Sequence, residues 1–380
     1  MMLGKKKLLP KRIALFVPSL RGGGAERVMV NLAIAFSERG LGVDLVLLKA
    51  EGSYLQEVPP SVRIVKLNAS RLLTGFVPLV RYLRSEKPDV LLTAMKHVNV
   101  MALLASIVSR SNVPVAVSEH STATVSLNLT PGIKTAVLGM LMKVLYPYAH
   151  YIVAVSKGVA DDLSRLLGIE ASRISVITNP IVSEKILSLS SQPVSHPWFQ
   201  EKSTPIILSV GRLTLAKDFK TLLYAFSKVR KKQYLRLMIL GEGELRDSLE
   251  LLVEELGLTA DVALPGFTDN PFAYMHHSDV FVLSSHWEGF GNVLVEAMAC
   301  GASVISTDCP SGPSEILEGG KWGRMVPVGD ADALSRAILD ALDSPGPSPI
   351  ARAMDFTVDN AVDSYLSLLL ENNEFKKEGV

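Results

Sequence analysis

Short apolar runs alternate with longer amphipathic segments along most of this chain, and this alternation limits the fold more than any other feature. Residues 13–17 and 43–48 are apolar and short enough to be buried strands, and residues 25–39 between them have helical periodicity and end at Gly40. A strand, a helix and a second strand in succession form a parallel pair with a right-handed crossover. Because the same succession recurs up to about residue 343, we predict an α/β fold built on parallel sheets.

The length of 380 residues and a break in this pattern predict two domains. The alternation loosens after residue 180, and residues 183–204 are rich in Ser, Pro and Gln, which is typical of a linker. We predict a first domain over residues 1–182, a linker over 183–204 and a second domain over 205–352. Residues 353–380 are predicted to contain a last amphipathic helix that packs back on the first domain.

Charge is divided unequally between the two halves. Residues 1–182 contain 22 Lys and Arg against 11 Asp and Glu, whereas residues 183–380 contain 17 against 27. A basic domain favours phosphate groups or an anionic membrane surface as a partner, and we expect no nucleic-acid partner. The mean hydropathy of +0.28 also favours a membrane surface, although no apolar run is long enough for a spanning helix.

Two features indicate a cytoplasmic protein. Cys300 and Cys309 are the only cysteines and form no disulfide framework, which fits a reducing compartment. No apolar segment of a signal peptide follows the lysines at positions 5–7. We expect a cytoplasmic location, with peripheral association at the cytoplasmic face of the inner membrane. The apolar segment 135–146 is predicted to be a helix that is either buried in the core or lies on that membrane.

Two carboxylates flank a predicted turn between a strand at 280–283 and a helix at 293–299. Glu288 lies in the loop and Glu296 one to two turns into the helix. Ligands of open α/β sheets bind outside the carboxyl ends of the strands, so these carboxylates can hold hydroxyl groups at two separated points of one extended ligand. The backbone amides of three further loop residues are predicted to face the same ligand: Gly289, Phe290 and Gly291.

Glycine turns and a pair of cations follow other predicted strands. Gly22, Gly23 and Gly24 precede the first helix, where the backbone can approach an anion, but three consecutive glycines do not form a dinucleotide fingerprint and can simply turn the chain. Arg212 and Lys217 follow the first strand of the second domain and can both reach one diphosphate. Another tight turn is formed by Gly241 and Gly243, which we predict to let a ligand ring lie against the backbone.

His120 follows the strand predicted at 113–118 and is interpreted either as a ligand-binding residue, for a sugar hydroxyl or a phosphate, or as a structural residue. Asp330 and Asp332 have the spacing of a metal-binding pair, but a helical segment follows them, so an N-cap is the better interpretation. Because no cluster of His, Cys or carboxylate residues has metal-ligand spacing, we expect no metal ion and no bound cofactor.

Taken together, these motifs resemble those of family 4 retaining glycosyltransferases. The resemblance rests on Glu288 and Glu296 with seven residues between them, on Arg212 and Lys217, and on the segment from Gly22 to Arg27. Residues 308–313 and 175–180 also match. The resemblance runs from about residue 12 to about residue 343, with the motifs in the expected order.

The family implies the GT-B architecture, in which two Rossmann-like, doubly wound domains face each other across a cleft. The second domain would bind most of the donor nucleotide, and the first would bind most of the acceptor. The resemblance implies that Glu296 holds the ribose hydroxyls, that Glu288 holds the transferred sugar, and that Arg212 and Lys217 neutralise the diphosphate. It also implies that Gly23 adds a backbone amide and that His120 lies near the 6-hydroxyl of the donor sugar, although Ser121 replaces the aspartate usual after that histidine.

The predicted site follows from these assignments. The predicted catalytic residues are Glu288, His120, Arg212 and Lys217. The predicted substrate-binding residues are Gly22, Gly23, Gly24, Glu296, Gly289, Phe290, Gly291, Asn292, Gly241, Gly243 and Phe267.

The expected function is transfer of a hexose or N-acetylhexosamine from a nucleotide sugar, most simply UDP-linked, to a lipid-linked or other glycan acceptor. An oxygen of the leaving phosphate would take the proton of the acceptor. Alternatives on the same fold are a sugar-nucleotide epimerase and a phosphorylase. A further alternative is a non-catalytic module that binds sugar nucleotides or a membrane.

Overall fold

The computed structural model describes residues 11–129, 132–200 and 204–371, which form two compact units. The first unit contains the chain up to Pro180 together with the segment that begins at Val358, and the second unit is Ile181–Thr357. Each unit is built around one parallel β-sheet.

Seven parallel strands form the sheet of the first unit. They are β1 (Arg12–Val17), β2 (Gly42–Leu47), β3 (Val62–Lys66), β4 (Val90–Ala94), β5 (Val115–Glu119), β6 (Tyr151–Ala154) and β7 (Ile174–Val176). Their order in the sheet is β3-β2-β1-β4-β5-β6-β7. Every residue of β4 and β5 is buried, which requires cover on both faces of the sheet. The first three residues of each strand are apolar, and the buried polar residues Thr93, Ser118 and Glu119 lie near the carboxyl ends. The order reverses between β1 and β4, so the loops after these strands border the position where such sheets bind ligands.

Among the residues that the structure describes, six α-helices follow these strands in the first unit. They are α1 (Gly24–Glu38), α2 (Leu72–Glu86), α3 (Lys96–Ser109), α4 (Ala123–Leu129), α5 (Ile133–Leu145) and α6 (Lys157–Leu167). α1 buries Val28, Met29 and Phe36 against the sheet, since its apolar residues recur with helical spacing. α4 was not predicted from the sequence because its seven residues are too few to show a period.

Six parallel strands form the sheet of the second unit. They are β8 (Ile206–Val210), β9 (Arg236–Leu240), β10 (Val262–Gly266), β11 (Val280–Leu283), β12 (Ser303–Thr307) and β13 (Arg324–Val326). Their order is β10-β9-β8-β11-β12-β13, so this sheet reverses between β8 and β11. The two sheets therefore share the doubly wound topology predicted from the sequence.

In the described part of the second unit there are nine α-helices. They are α7 (Glu184–Ser190), α8 (Pro197–Gln200), α9 (Phe219–Arg230), α10 (Arg246–Glu255), α11 (Pro271–His277), α12 (Asn292–Ala299), α13 (Pro313–Ile316), α14 (Ala331–Asp343) and α15 (Ile350–Ala353). The longest of them, α9 and α14, bury apolar residues such as Phe226 and Ile338 against the sheet.

The segment predicted as a linker is instead part of the second unit. α7 and α8 lie within residues 183–204, and Asn270 donates from Nδ2 to the carbonyl oxygen of Leu189 at 3.0 Å. Phe199 packs edge-on against Tyr274, with the ring centroids 5.3 Å apart. The polar composition of this segment reflects its surface position, while a few apolar and amide side chains attach it to α11.

The chain returns to the first unit through its last helix, α16 (Val358–Glu371). Tyr365 packs edge-on against Phe36 of α1 at a centroid distance of 6.4 Å. Arg39 forms ion pairs of 2.7 Å with both Asp359 and Asp363. The terminal helix predicted within residues 353–380 thus begins at Val358 and packs on α1.

Candidate functional site

The loops after β8 and β11 lie side by side where the sheet of the second unit reverses. The backbone amide of His286 donates to the carbonyl oxygen of Ala216 at 2.8 Å, and the Ser284 hydroxyl donates to that of Lys217 at 2.8 Å. These bonds fix the first loop, which contains Arg212 and Lys217, against the second loop, which contains Glu288. The structure therefore brings together three of the four predicted catalytic residues at one sheet edge.

Lys217 and Glu288 form a direct ion pair in this site. The Nζ atom of Lys217 lies 2.5 Å from Oε1 of Glu288, which also accepts a hydrogen bond of 2.7 Å from the Ser285 hydroxyl. Both side chains are largely buried, with 19 % and 12 % of their surfaces exposed. An ammonium group has three donors, so Lys217 keeps hydrogen-bonding capacity for a second anion beside Glu288.

Hydroxyl side chains that the sequence analysis did not identify hold the Glu288 loop in place. Thr307, at the end of β12, donates to the carbonyl oxygen of Ser285 at 2.6 Å, and Ser285 in turn donates to Glu288. Ser284 and Ser285 are fully buried. In the sequence, these serines could have been identified by the change from apolar residues to small hydroxyl residues at the end of β11.

Arg212 and Glu296 flank this ion pair in the sequence. Arg212 is exposed, and its guanidinium forms no ion pair with the part of the chain that the structure describes. Glu296 is the fifth residue of α12 and is half-buried. α12 begins after Gly291, whose φ of +101° is accessible to glycine at little cost. The predicted placement of Glu288 in the loop and Glu296 in the helix is thus what the structure shows.

The two cysteines of the second unit are not nucleophiles. Burial raises the pKa of Cys309 to about 12, and the nearby Glu288 carboxylate acts in the same direction. Burial, with a smaller effect of Glu296, also raises the pKa of Cys300 to about 12. Both thiols therefore stay protonated at neutral pH.

Gly241 and Gly243 pack directly against the Arg212 loop. A Cβ atom on Gly241 would lie 2.0 Å from the carbonyl oxygen of Gly211, and one on Gly243 would lie 2.4 Å from that of Leu213. The amide of Leu213 also donates to the carbonyl oxygen of Glu242 at 2.9 Å. The contact between these two loops is sufficient to require glycine at both positions. From the sequence, both glycines were predicted to contact a ligand ring instead.

Phe290 and Phe267, both predicted to bind substrate, lie in opposite environments. The Phe290 side chain is buried against Phe356, with ring centroids 5.4 Å apart, because an aromatic ring is stabilised in the core. Only its backbone remains for a ligand, and that backbone contacts Gly312, where a Cβ would lie 1.9 Å from the Phe290 carbonyl oxygen. Phe267 follows β10 and is 69 % exposed.

The glycine loop of the first unit already surrounds a carboxylate. Oε2 of Glu26 accepts hydrogen bonds from the amides of Gly22 and Gly23 at 2.9 and 3.0 Å, and the Ser19 hydroxyl donates to Oε1 at 3.2 Å. These amides were predicted to be available to an anion, whereas Glu26, three residues after the N-cap Gly23, bonds to them as in a capping box. Gly22 has a φ of +119°, which accounts for glycine at that position.

His120 lies at the carboxyl end of β5 in the first unit. Its Nε2 atom is 3.0 Å from the Ser118 hydroxyl, which is 3.4 Å from the Tyr365 hydroxyl of α16. Desolvation lowers the pKa of His120 to about 4, although a hydrogen bond with Asn179 acts in the opposite direction. The imidazole is therefore neutral at pH 7.

A buried polar network beneath this edge was not predicted. Asn99 of α3 donates from Nδ2 to the Ser118 carbonyl oxygen and to Oε1 of Glu119, both at 3.0 Å, and the Tyr146 hydroxyl donates to the same carboxylate oxygen. Burial raises the pKa of Glu119 and favours its protonated form. This network fixes α3 and the end of α5 to β5.

The structure also accounts for the two acidic residues with metal-like spacing. Oδ1 of Asp330 accepts hydrogen bonds from the amides of Asp332 and Ala333 at 3.0 and 2.8 Å, which is N-cap geometry at the start of α14. Within the described ranges, no group of three or more His, Cys, Asp or Glu side chains is arranged to hold a metal ion.

Comparison with known proteins agrees with this arrangement of two doubly wound units. The structure resembles the crystal structure of Anabaena HepE in complex with UDP and glucose, with a TM-score of 0.77 and 19 % identity over 95 % of this chain and all of that one. It also resembles sucrose-phosphate synthase from Thermosynechococcus elongatus, with a TM-score of 0.75, 21 % identity and coverage of 97 % and 98 %. The fold is that of the GT-B glycosyltransferases.

Family models match both halves of the chain. Residues 22–185 match the model described as Glycosyltransferase Family 4, and residues 195–355 match the model described as Glycosyl transferases group 1. The chain belongs to glycosyltransferase family 4 and is a transferase.

Curated relatives act on bacterial glycans. The chain is 30 % identical, over 88 % of its length and 90 % of the relative, to the Campylobacter jejuni N-acetylgalactosamine-N,N'-diacetylbacillosaminyl-diphospho-undecaprenol 4-alpha-N-acetylgalactosaminyltransferase. It is 29 % identical to the lipopolysaccharide core biosynthesis glycosyltransferase LpsE of Rhizobium meliloti, over 84 % of this chain and 85 % of that protein. Both names describe glycosyltransferases, in agreement with the family to which the chain belongs.

Proposed function

We propose that this glycosyltransferase moves a hexose or N-acetylhexosamine from a UDP-linked donor to a lipid-linked glycan, with retention of the anomeric configuration. The observation that carries the proposal is the Lys217–Glu288 pair next to Arg212, at the reversal point of the second sheet. UDP and glucose in the HepE structure support the donor class, and the name of the Campylobacter relative supports a diphosphate-linked lipid acceptor.

The chemistry follows from the charges at this edge. When the sugar–diphosphate bond breaks, its electron pair moves to an oxygen of the β-phosphate, where Arg212 and Lys217 stabilise the developing negative charge. Glu288 holds Lys217 in position and accepts hydrogen bonds from hydroxyls of the transferred sugar. The acceptor hydroxyl forms the new bond to the anomeric carbon, and its proton goes to the leaving phosphate oxygen. This route needs no protein nucleophile, which agrees with the protonated state of Cys309.

Glu296→Gln is expected to raise the Kd for UDP about tenfold, because a carboxylate accepts stronger hydrogen bonds from the two ribose hydroxyls than an amide does. The measurement is calorimetric titration with UDP, after a thermal-shift screen of nucleotide sugars has identified the donor. Glu255→Gln is the matched control, since Glu255 is an exposed carboxylate at the end of α10. Equal UDP affinity in both variants would contradict the assignment of Glu296, and failure of the wild type to bind any nucleotide sugar would contradict the proposed function.

The membrane-facing surface that we propose is the exposed side of α5. Ile133, Val137, Met140 and Val144 recur with helical spacing and are all exposed, Ile133 by 86 % and Met140 by 67 %. Lys134 and Lys143 lie on the same helix and are also exposed. An apolar stripe flanked by cations suits an anionic lipid surface. Among the described residues, none of the helices has the length and apolar character needed to span a bilayer.

A double substitution, Val137→Asp with Met140→Asp, is expected to weaken vesicle binding at least about tenfold, since it removes two apolar contacts and adds two negative charges. Cosedimentation with vesicles that contain phosphatidylglycerol measures this binding. Leu251→Asp, at an exposed apolar position of α10 in the second unit, is the control and should bind as the wild type does. Unchanged binding of the double variant would exclude α5 as the docking surface.

A further inference from the structure

A strained turn lies at the reversal point of the first sheet. Met95, directly after β4, has φ of +78° and ψ of 132°. This backbone conformation is unfavourable for a residue with a long side chain and persists only where the surrounding structure imposes it. Lys96 follows as the first residue of α3 and is 9 % exposed. A lysine at a helix N-terminus is disfavoured by the helix dipole, so local stability does not explain this residue.

The ammonium group of Lys96 has a single hydrogen-bond partner within the described chain. Nζ donates to the Ser121 hydroxyl at 2.9 Å, and no carboxylate of the described residues forms an ion pair with it. Glu119 lies close enough to interact electrostatically, but its carboxyl group accepts the hydrogen bonds of Tyr146 and Asn99. Two donors of a buried cation are thus left for another group, and such a cation is costly without an anionic partner.

The surroundings of Lys96 are rigid. Thr93 donates to Oδ1 of Asn99 at 2.6 Å, and Asn99 is bound to the end of β5 through Ser118 and Glu119. Lys96 and Ser121 are therefore held by elements that cannot easily separate.

We propose that Lys96 and Ser121 form an anion subsite in the first unit that binds a phosphate group of the acceptor. An aspartate at position 121 would pair with Lys96 and cancel its charge, whereas the serine hydroxyl leaves the charge available and adds a hydrogen-bond donor of its own. The inference rests on the proposed function, because it assigns the phosphate to a diphosphate-linked lipid acceptor. The same chemistry would also fit the diphosphate of the donor, and the experiment separates these two sources.

The test measures binding without turnover. The probes are a short prenyl-diphosphate-linked N-acetylhexosamine, the same sugar as a prenyl glycoside without phosphate, and UDP. Lys96→Met is expected to raise the Kd for the diphosphate probe about tenfold, the effect of one charge-assisted hydrogen bond, and to leave the Kd values for the other two unchanged. Lys66→Met is the matched control, since Lys66 is an exposed lysine at the carboxyl end of the edge strand β3.

Ser121→Asp keeps the lysine and is expected to raise the Kd for the diphosphate probe at least as much as Lys96→Met does. The proposal can therefore be tested even if Lys96→Met does not fold. Equal affinity of the wild type for the two prenyl probes, or an unchanged Kd in the variants that fold, would overturn the proposal. Weaker UDP binding in place of weaker acceptor binding would also overturn it, because the anion would then belong to the donor. A wild type that binds the diphosphate probe through Lys96 but transfers no sugar would contradict the proposed function and leave this subsite standing.

Discussion

Lys217→Met is expected to lower kcat for sugar transfer by about 10²- to 10³-fold, the usual cost of removing one group that stabilises charge in a transition state. The cation is held at 2.5 Å from Glu288, so the substitution removes the positive charge near the leaving phosphate and also removes the ion pair of the largely buried Glu288 carboxylate. Glu288→Gln should lower kcat less, because the amide can still hydrogen-bond the sugar. Initial rates with a saturating donor and acceptor measure both effects.

The double variant Lys217→Met with Glu288→Gln should be little slower than Lys217→Met alone, since residues that act as a unit are not additive. Lys220→Met is the control, because Lys220 is an exposed lysine in the first turn of α9 and should keep the wild-type rate. Additive losses in the double variant would indicate that the two side chains act separately. A Lys217→Met rate within a few-fold of the wild type would remove Lys217 from the mechanism.

Gly241→Ala is expected to lower the free energy of unfolding of the second unit by about 2–5 kcal/mol. Two costs add at this position: a φ of +137° that side chains rarely adopt, and overlap of the new methyl group with the Gly211 carbonyl oxygen at 2.0 Å. The movement that relieves the overlap displaces the loop of Arg212, so nucleotide affinity should fall together with stability. Thermal and denaturant unfolding with and without UDP measure both quantities.

Gly257→Ala is the matched control for this substitution. Gly257 also has a positive φ, +67°, but no atom lies within 4 Å of the position of its Cβ, so only the conformational cost of about 1 kcal/mol applies. If Gly241→Ala unfolded like the wild type and yet bound UDP more weakly, the role of Gly241 would be ligand contact, as predicted from the sequence, and not packing between loops.

Most of the fold could be predicted from the sequence because buried parallel strands are apolar on both faces. Residues 13–17 of β1 and all of β11 are examples, since their uninterrupted apolar runs are too short for amphipathic helices of ordinary length. The interpretation of residues 183–204 as a linker was wrong over the described residues. A polar composition indicates that a segment is exposed to solvent, but it does not show whether the segment packs on a domain. α7 and α8 are attached by Asn270 and by the contact between Phe199 and Tyr274, which join residues about 75–80 positions apart.

The candidate site was predictable to the extent that its residues lie at strand ends. Glu288, Arg212 and Lys217 could each be assigned to the carboxyl edge, but their pairing depends on which strands adjoin, and β8 and β11 are separated by two other strands in the sequence. The contact of Glu26 with Gly22 and Gly23 could have been predicted from the sequence, since a glutamate three residues after an N-cap is typical of a capping box. Lys96 was harder to identify from the sequence, where it is only a lysine two residues after a strand.

The measurement that tests the central claim most directly is mass spectrometry of the product formed from a UDP-linked sugar and a prenyl-diphosphate-linked acceptor. The account predicts that the acceptor gains the mass of one hexose or N-acetylhexosamine, that the product keeps the anomeric configuration of the donor by NMR, and that Lys217→Met forms it at least about 10² times more slowly. A wild type that binds the UDP-sugar but only converts it to another UDP-sugar or to a sugar phosphate, with no gain in acceptor mass, would contradict the account.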